Sequence, residues 1–206
     1  LRALRFAAQN RILRKKIYLD EATGLPNKNK CEEILSDSTP LGEEESTAIC
    51  VFDLNNLRII NNNLGHDKGD EYIRSFAEQL RLAVDPENFV GRDGGDEFIA
   101  IFQKIDHSKM RETLKKIRTQ MENYSAKHPE MPISYAGGYA LSTEFEDCYI
   151  RELFRHADQN MYIDKNRAKM EEAAAERKIS LEALDVVKKK GYHFSNCIYC
   201  NARQDQ

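Results

Sequence analysis

The sequence predicts an α/β (α+β) domain built on a central sheet, and three observations lead there. Thr47-Ala48-Ile49-Cys50-Val51-Phe52 is a near-continuous apolar run that stops at Asp53. Such a run is the pattern of a strand buried on both faces. Residues 88–102 hold two short strand patterns, one on each side of Gly94-Gly95. That is the pattern of a β-hairpin, with adjacent glycines free to take the positive φ of a tight turn. Strand patterns alternate with helical ones, and no internal repeat is visible.

The elements follow in order. Residues 1–19 place Leu1, Leu4, Ala8, Ile12, Leu13 and Ile17 at helical spacing, predicting an amphipathic linker helix that continues upstream. It suits a coiled coil with its twin, or a helix lying on its own domain. Gly24 and Pro26 then make a turn, and Asn27 caps a helix running to about Leu35. Residues 36–46 read as a polar loop. After Asp53, the residues Leu57, Ile60 and Leu64 have helical spacing and Gly65 ends that helix. Asp67 is expected to cap a longer helix whose inner face is Ile73, Phe76, Ala77, Leu80 and Val84. A helix over 108–127 turns Met110, Leu114, Ile117 and Met121 inward, and His128-Pro129 stops it. The strand 133–141 carries Gly137-Gly138, which suggests a bulge or a close backbone approach. Residues 149–169 form the last helix of the domain, and 171–206 read as a charged helical extension and tail. The expected divisions are therefore 1–19, 20–170 and 171–206.

Composition narrows the function. The net charge of -3 provides no basic field for nucleic acid. No apolar stretch has the length of a membrane helix, so no membrane contact is expected of these residues, and any anchor is left to a segment upstream. The odd count of five cysteines, without a secretory signal, predicts reduced thiols in a cytoplasmic setting. Cys197-x-x-Cys200 with His193 is short of ligands for zinc, and a loose tail is the expectation.

The chemistry-bearing residues are acids at strand ends. Asp53 closes a central strand beside a polar loop, a usual place for active-site chemistry in α/β folds. Asp96 and Glu97 follow the hairpin glycines. If the hairpin pairs beside the central strand, Asp53 and Asp96 converge. Two carboxylates completed by substrate phosphates suit Mg²⁺, and such metals activate a hydroxyl toward phosphorus. Arg58 and Lys165 are candidate phosphate partners. Asn61 and Asp70 have the donors and acceptors to read a guanine edge. Each has an ordinary alternative: Asn61 as a turn cap, Asp70 as a charge near a helix start, Arg58 and Lys165 as solvated cations.

Taken together, the motifs resemble the GGDEF domain, the diguanylate cyclase family. They are Asp20-x-x-Thr23-Gly24-Leu25-Pro26-Asn27, Asp53-Leu54-Asn55-Asn56-Leu57-Arg58-x-Ile60-Asn61, Gly65-His66-x-x-Gly69-Asp70, Arg92-x-Gly94-Gly95-Asp96-Glu97-Phe98 and Ala157-Asp158-x-x-Met161-Tyr162-x-x-Lys165. Several spaced motifs in order are far more specific than one. The resemblance implies a mostly antiparallel sheet wrapped by helices, like the class III nucleotidyl cyclases. It implies condensation of two GTP into cyclic di-GMP by a homodimer, with Mg²⁺ or Mn²⁺, under an upstream sensor domain. By the same resemblance Asp53, Asp96 and the Leu54 carbonyl hold metal, and Asp96 helps activate the hydroxyl. Glu97 is a further acid near the metals. Asn61 and Asp70 recognise guanine; Arg58, Lys165 and Lys169 meet phosphates; Gly94 and Gly95 let the α-phosphate approach. Departures from the family pattern are Arg58 for Lys, Asn55 for a frequent Asp, and Ala168-Lys169 for Gly-Arg. The family's product-inhibition motif, Arg-x-x-Asp, is replaced by Asp85-Pro86-Glu87-Asn88, so feedback through that site is not expected.

Overall fold

The computed structural model describes residues 17–41, 46–146 and 148–177. At its centre is a four-stranded sheet. Its strands are β1 (Thr47–Leu54), β2 (Phe89–Gly94), β3 (Glu97–Gln103) and β4 (Tyr135–Leu141), laid out in the order β2-β3-β1-β4. Every neighbouring pair is antiparallel. The expected mostly antiparallel sheet wrapped by helices is therefore what the chain forms. Five helices among the described residues surround it: α1 (Lys28–Leu35), α2 (Leu57–Leu64), α3 (His66–Ala83), α4 (His107–Lys127) and α5 (Ile150–Arg177).

The period-2 alternation of a strand divides the core in two. All eight residues of β1 are buried. Ala48, Cys50, Phe52 and Leu54 face one side, where Phe76 of α3 and Leu114 and Ile117 of α4 join Phe98, Ala100 and Phe102 of β3. Ile49 and Val51 face the other side, with Cys31 of α1, Ile99 and Ile101 of β3, and Leu153, Ala157 and Met161 of α5. Asp53 and Glu97, continuing this alternation, belong to the α1/α5 face. Behind them Phe76 meets Phe98 and Phe52 edge-on, with ring centroids 4.9 and 6.1 Å apart. Such pairs add to area burial and fix the strand ends from which the acids project.

β4 explains its own small residues. Its register with β1 runs unbroken through Gly137 and Gly138, so the bulge alternative is excluded and the close approach is what occurs. A Cβ at Gly138 would overlap backbone atoms of Ala157, Asn160 and Met161. Ala136 and Ala140 flank it on the same face, and α5 lies directly on this strip. Asp164 of α5, 1% exposed, accepts the Gly137 N–H at 3.0 Å and pairs with Arg167 at 3.1 Å.

Three local expectations are corrected. The hairpin does not turn on Gly94-Gly95 with positive φ: β2 continues through Gly94 and the turn is Gly95-Asp96. Among the described residues the glycines with positive φ are Gly24 and Gly65. A register shift between Arg92 and Gly94 supplies the bend instead, as bulges do. Asp67 is not the cap of α3. That helix starts at His66 with Gly65 in the cap position at φ 88°, and Asp67 sits in its first turn. The positive φ lets one glycine end α2 and begin α3. The last helix is also longer than 149–169, running unbroken through Arg177. Asn27 caps α1 as expected, accepting the Lys30 N–H. Most of the predicted first helix, all of 178–206 and the Cys197, Cys200 and His193 group lie outside the described residues.

Candidate active site

The site begins at the end of β1. Asp53 pairs in register with Glu97 of β3, so their side chains rise from the same face. One residue on, the Leu54 N–H donates to the Asp96 carbonyl at 2.9 Å. That bond extends the ladder into the turn and holds Asp96 beside the end of β1. The sequence expectation that the hairpin pairs beside the central strand is met, with Glu97 rather than Asp96 opposite Asp53. Asn55 leaves the sheet by donating its backbone N–H to Ser134 O at 2.9 Å and its side-chain amide to Ser134 Oγ at 3.1 Å. Asn56 follows with φ 64°, a left-handed conformation that Asn tolerates better than most residues, and the chain enters α2.

From the opposite direction α5 brings a cation. Lys165 Nζ lies 2.7 Å from both oxygens of Asp53. Asp53 is 5% exposed. Asp53, Glu97, Asp158, Tyr162, Lys165 and Lys169 are among the residues lining a cleft of about 640 Å³. Partial burial and the charges of Asp53, Asp93, Asp96 and Asp158 push the Glu97 carboxyl above its ordinary value. Partial burial and Asp53 push Asp158 up as well. Burial likewise raises Asp93, on the bulged segment. Acids thus accumulate where β1, the hairpin and α5 meet.

Other predicted residues stand apart from this cleft. Arg58 is exposed on α2 and Asp70 is exposed on α3, whereas Asn61 is half-buried between the two helices. None of the three lines the cleft. Asn61 and Asp70 are still linked through Gly69, where a Cβ would overlap Asn61 Oδ1. The glycine therefore makes the place in which the Asn61 amide lies. Gly94 ends β2 and Gly95 is exposed at the tip of the hairpin.

Sequence reasoning missed two supports. Asp158 belongs to the same motif as Lys165 and precedes it by seven residues, two helical turns, so the shared face was readable. The second is a lock on the hairpin. Arg92 Nη1 reaches both Asp20 oxygens at 3.1 Å, and its Nη2 donates to Gly95 O at 2.7 Å. Asp20 also accepts from Thr23 N and Oγ1. Desolvation opposes ionisation of Asp20, but the Thr23 and Arg92 bonds win and lower its pKa. The Asp20–Asn27 motif is thus a turn bolted to the β2–β3 hairpin, with Arg92 N donating to Pro26 O at 2.8 Å as a further tie.

The fit to a divalent cation can be judged from the donors. Among the described residues no three Asp, Glu, His or Cys side chains form a ready cage. Mg²⁺ does not require one, since it is commonly held by one or two carboxylates together with waters and substrate phosphates. Asp53 at the end of β1 and Asp96 in the turn before β3, with further acids around them, fit that mode.

The profile of the diguanylate cyclase GGDEF domain matches residues 17–171. The chain belongs to the GGDEF domain family. It is 28% identical over 159 residues to the cyclic di-GMP phosphodiesterase PdeR of Escherichia coli (strain K12), covering 77% of the chain and 24% of that protein. It is 27% identical over 155 residues to the diguanylate cyclase DgcP of Pseudomonas aeruginosa, covering 74% of the chain and 23% of that protein. The chain thus spans about a quarter of the length of these relatives. A solved structure, reported as a novel interaction mode between a microbial GGDEF domain and bis-(3,5)-cyclic di-GMP, superposes with a TM-score of 0.61 at 26% identity. It covers 73% of the chain and 94% of that chain. No helix among the described residues is long and apolar enough to cross a membrane.

Proposed function

We propose that this GGDEF domain is a diguanylate cyclase that condenses two GTP into cyclic di-GMP with release of two pyrophosphates. The observation that supports this best is the pairing of Asp53 with Glu97 and of Leu54 N–H with the Asp96 carbonyl, which keeps the family's acids together at one end of the sheet. The relatives include both a cyclic di-GMP phosphodiesterase and a diguanylate cyclase; the site supports the synthetic reading.

In the proposed reaction each GTP 3′-oxygen attacks the other's α-phosphorus. A new P–O bond forms, the bond to the β-phosphate oxygen breaks, and pyrophosphate leaves. Asp96 accepts or relays the hydroxyl proton. Asp53, Asp96 and the Leu54 carbonyl would hold a divalent cation, Mg²⁺ or Mn²⁺, which when bound supplies Lewis-acid polarisation of the phosphates. Arg58, Lys165 and Lys169 neutralise the triphosphate, and Gly94 and Gly95 leave room for its α-phosphate. Asn61 and Asp70 read guanine from α2 and α3. A homodimer supplies the second GTP, with residues 1–19 as the linker helix from an upstream sensor, 20–170 as the catalytic domain and 171–206 as an extension, in a cytoplasmic setting. At the position of the family's product-inhibition motif Asp85 pairs with Lys116 at 2.8 Å, and feedback through that site is absent; calorimetry detecting cyclic di-GMP there tighter than about 1 μM overturns this point.

The deciding experiment incubates the purified dimer with GTP and Mg²⁺ and separates the products by chromatography. Cyclic di-GMP is expected from the wild type and none from Asp96→Ala; full activity in that variant removes Asp96 from the site. A second reading is a non-catalytic GGDEF module that binds GTP or a protein partner. The observation favouring it is Asn55, which places a neutral amide, committed to Ser134, where an acid is frequent. GTP binding without product in the wild type selects that reading.

A further inference from the structure

The Asp53 carboxylate already has a cation. The Lys165 ammonium bridges its two oxygens at 2.7 Å each, from the side of the cleft. A divalent ion held by Asp53 would need the same carboxylate oxygens that Lys165 occupies. The pair is not a loose surface contact. Asp53 is buried among β1, β3 and β4, and the Lys165 side chain is 28% exposed. Its helix is held at fixed depth by the backbone contact at Gly138 and by the Asp164 bond to Gly137 N. An ammonium and a divalent ion on one buried carboxylate repel each other strongly, because little water screens them. Metal and lysine therefore compete. The triphosphate is the stronger attractor for the lysine, since its charge is larger and its oxygens are more numerous than those of one carboxylate.

We infer that Lys165 is the counter-ion of Asp53 in the nucleotide-free domain and that the triphosphate, by drawing the ammonium away, opens Asp53 to the metal ion. This rests on the reading of Asp53 as a metal ligand and Lys165 as a phosphate partner. The ion then arrives with the nucleotide, and metal alone binds poorly. Lys165 is in this sense a positioning residue with two partners. It keeps the buried carboxylate from standing unpaired, which is costly, and it gives that carboxylate up only when a phosphate replaces it.

The test counts Mn²⁺ bound to the nucleotide-free domain by electron paramagnetic resonance of the free ion. Wild type is compared with Lys165→Met, Lys165→Gln, Asp53→Asn and the double variant Lys165→Met/Asp53→Asn. Circular dichroism checks that each is folded. Both single Lys165 variants are expected to bind Mn²⁺ at least about tenfold more tightly than wild type, a gain of about 1.4 kcal/mol, and Asp53→Asn erases the gain. Lys165 variants that match wild type, while Asp53→Asn still removes binding, overturn the inference and leave the metal reading standing. A gain that survives in the double variant also overturns it. Binding indifferent to Asp53→Asn in every background sinks the metal reading itself. Should neither Lys165 variant fold, the wild type decides: acetylation of Lys165, followed by mass spectrometry, rises when Mn²⁺ saturates the site. Unchanged labelling at saturation overturns the inference.

Discussion

At the scale of single residues, the roles of Gly69 and Asn61 separate cleanly. Gly69 is buried in the first part of α3, and a Cβ there would overlap only the end of the Asn61 side chain. A flexible amide can swing away, so the helix need not move. Replacing glycine by alanine inside a helix gains up to about 1 kcal/mol. Gly69→Ala is therefore expected to melt at or above the wild-type temperature while displacing Asn61. If Asn61 reads guanine, the affinity for GTP falls about tenfold, or about 1.4 kcal/mol; fluorescence titration of a GTP analogue measures it. Affinity preserved alongside full stability detaches Asn61 from the nucleotide. Cys31 shows the opposite kind of residue, one whose chemistry is switched off. Burial first, then the charges of Asp93 and Glu32, push its thiol up to about 12. It packs against Gly91 of β2, and its raised pKa keeps the thiol, not the thiolate, at ordinary pH.

At the scale of elements, the fold was legible wherever periodicity was strong. The buried β1, the inner faces of α3 and α4 and the Asn27 cap follow from spacing alone. The hairpin was legible as an element but not in detail. Its glycines advertise a turn, whereas the bend is made by a register shift that depends on pairing with β3, and pairing is not written in local sequence. The site was legible in the same graded way. Asp53, Glu97 and Lys165 meet because β1, β3 and α5 each carry one of them to the same end. The Asp20–Arg92 lock was hidden, because its partners are 72 residues apart. Gly137-Gly138 was half-legible: the pair signalled a bulge or a close approach, but not which of the two or to what. The structure answers that α5 presses its backbone on Gly138. In Gly138→Ala the new methyl meets main-chain atoms of Ala157, Asn160 and Met161, which cannot rotate aside. The helix must shift, at about 1–3 kcal/mol, lowering the melting temperature by about 2–12 °C. Because Lys165 rides on α5, Mn²⁺ and nucleotide binding should change with it. A melting curve identical to wild type shows that α5 accommodates the methyl freely and does not hold the cleft's depth.

At the scale of the whole molecule, the domain gathers its acids at one end and compensates them incompletely. Glu97, Asp158 and Asp93 are all pushed above ordinary carboxylate values, chiefly by burial and, for Glu97 and Asp158, by neighbouring acids. A raised acid keeps its proton in the folded state after the unfolded chain has lost it. Its contribution is full below the ordinary value and is lost as pH rises through the raised one. Asp20 runs the other way. Its lowered pKa means that its bonds to Arg92 and Thr23 stabilise above the ordinary value and are lost as pH falls. The two groups of acids therefore pull the stability profile from opposite sides. Urea denaturation of the metal-free domain separates them. Asp158→Asn is expected to raise the unfolding free energy at neutral pH, by under about 1 kcal/mol because the group touches water, and to leave it unchanged near pH 4, where roughly half of ordinary carboxylates are protonated in any case. Asp20→Asn is expected to lower the unfolding free energy at neutral pH by about 1.5–3 kcal/mol, the worth of hydrogen bonds to a charged group, with the deficit shrinking as pH falls. An Asp158→Asn midpoint below wild type at neutral pH means that Asp158 is held by favourable contacts and that the acids at this end of the sheet do not destabilise it.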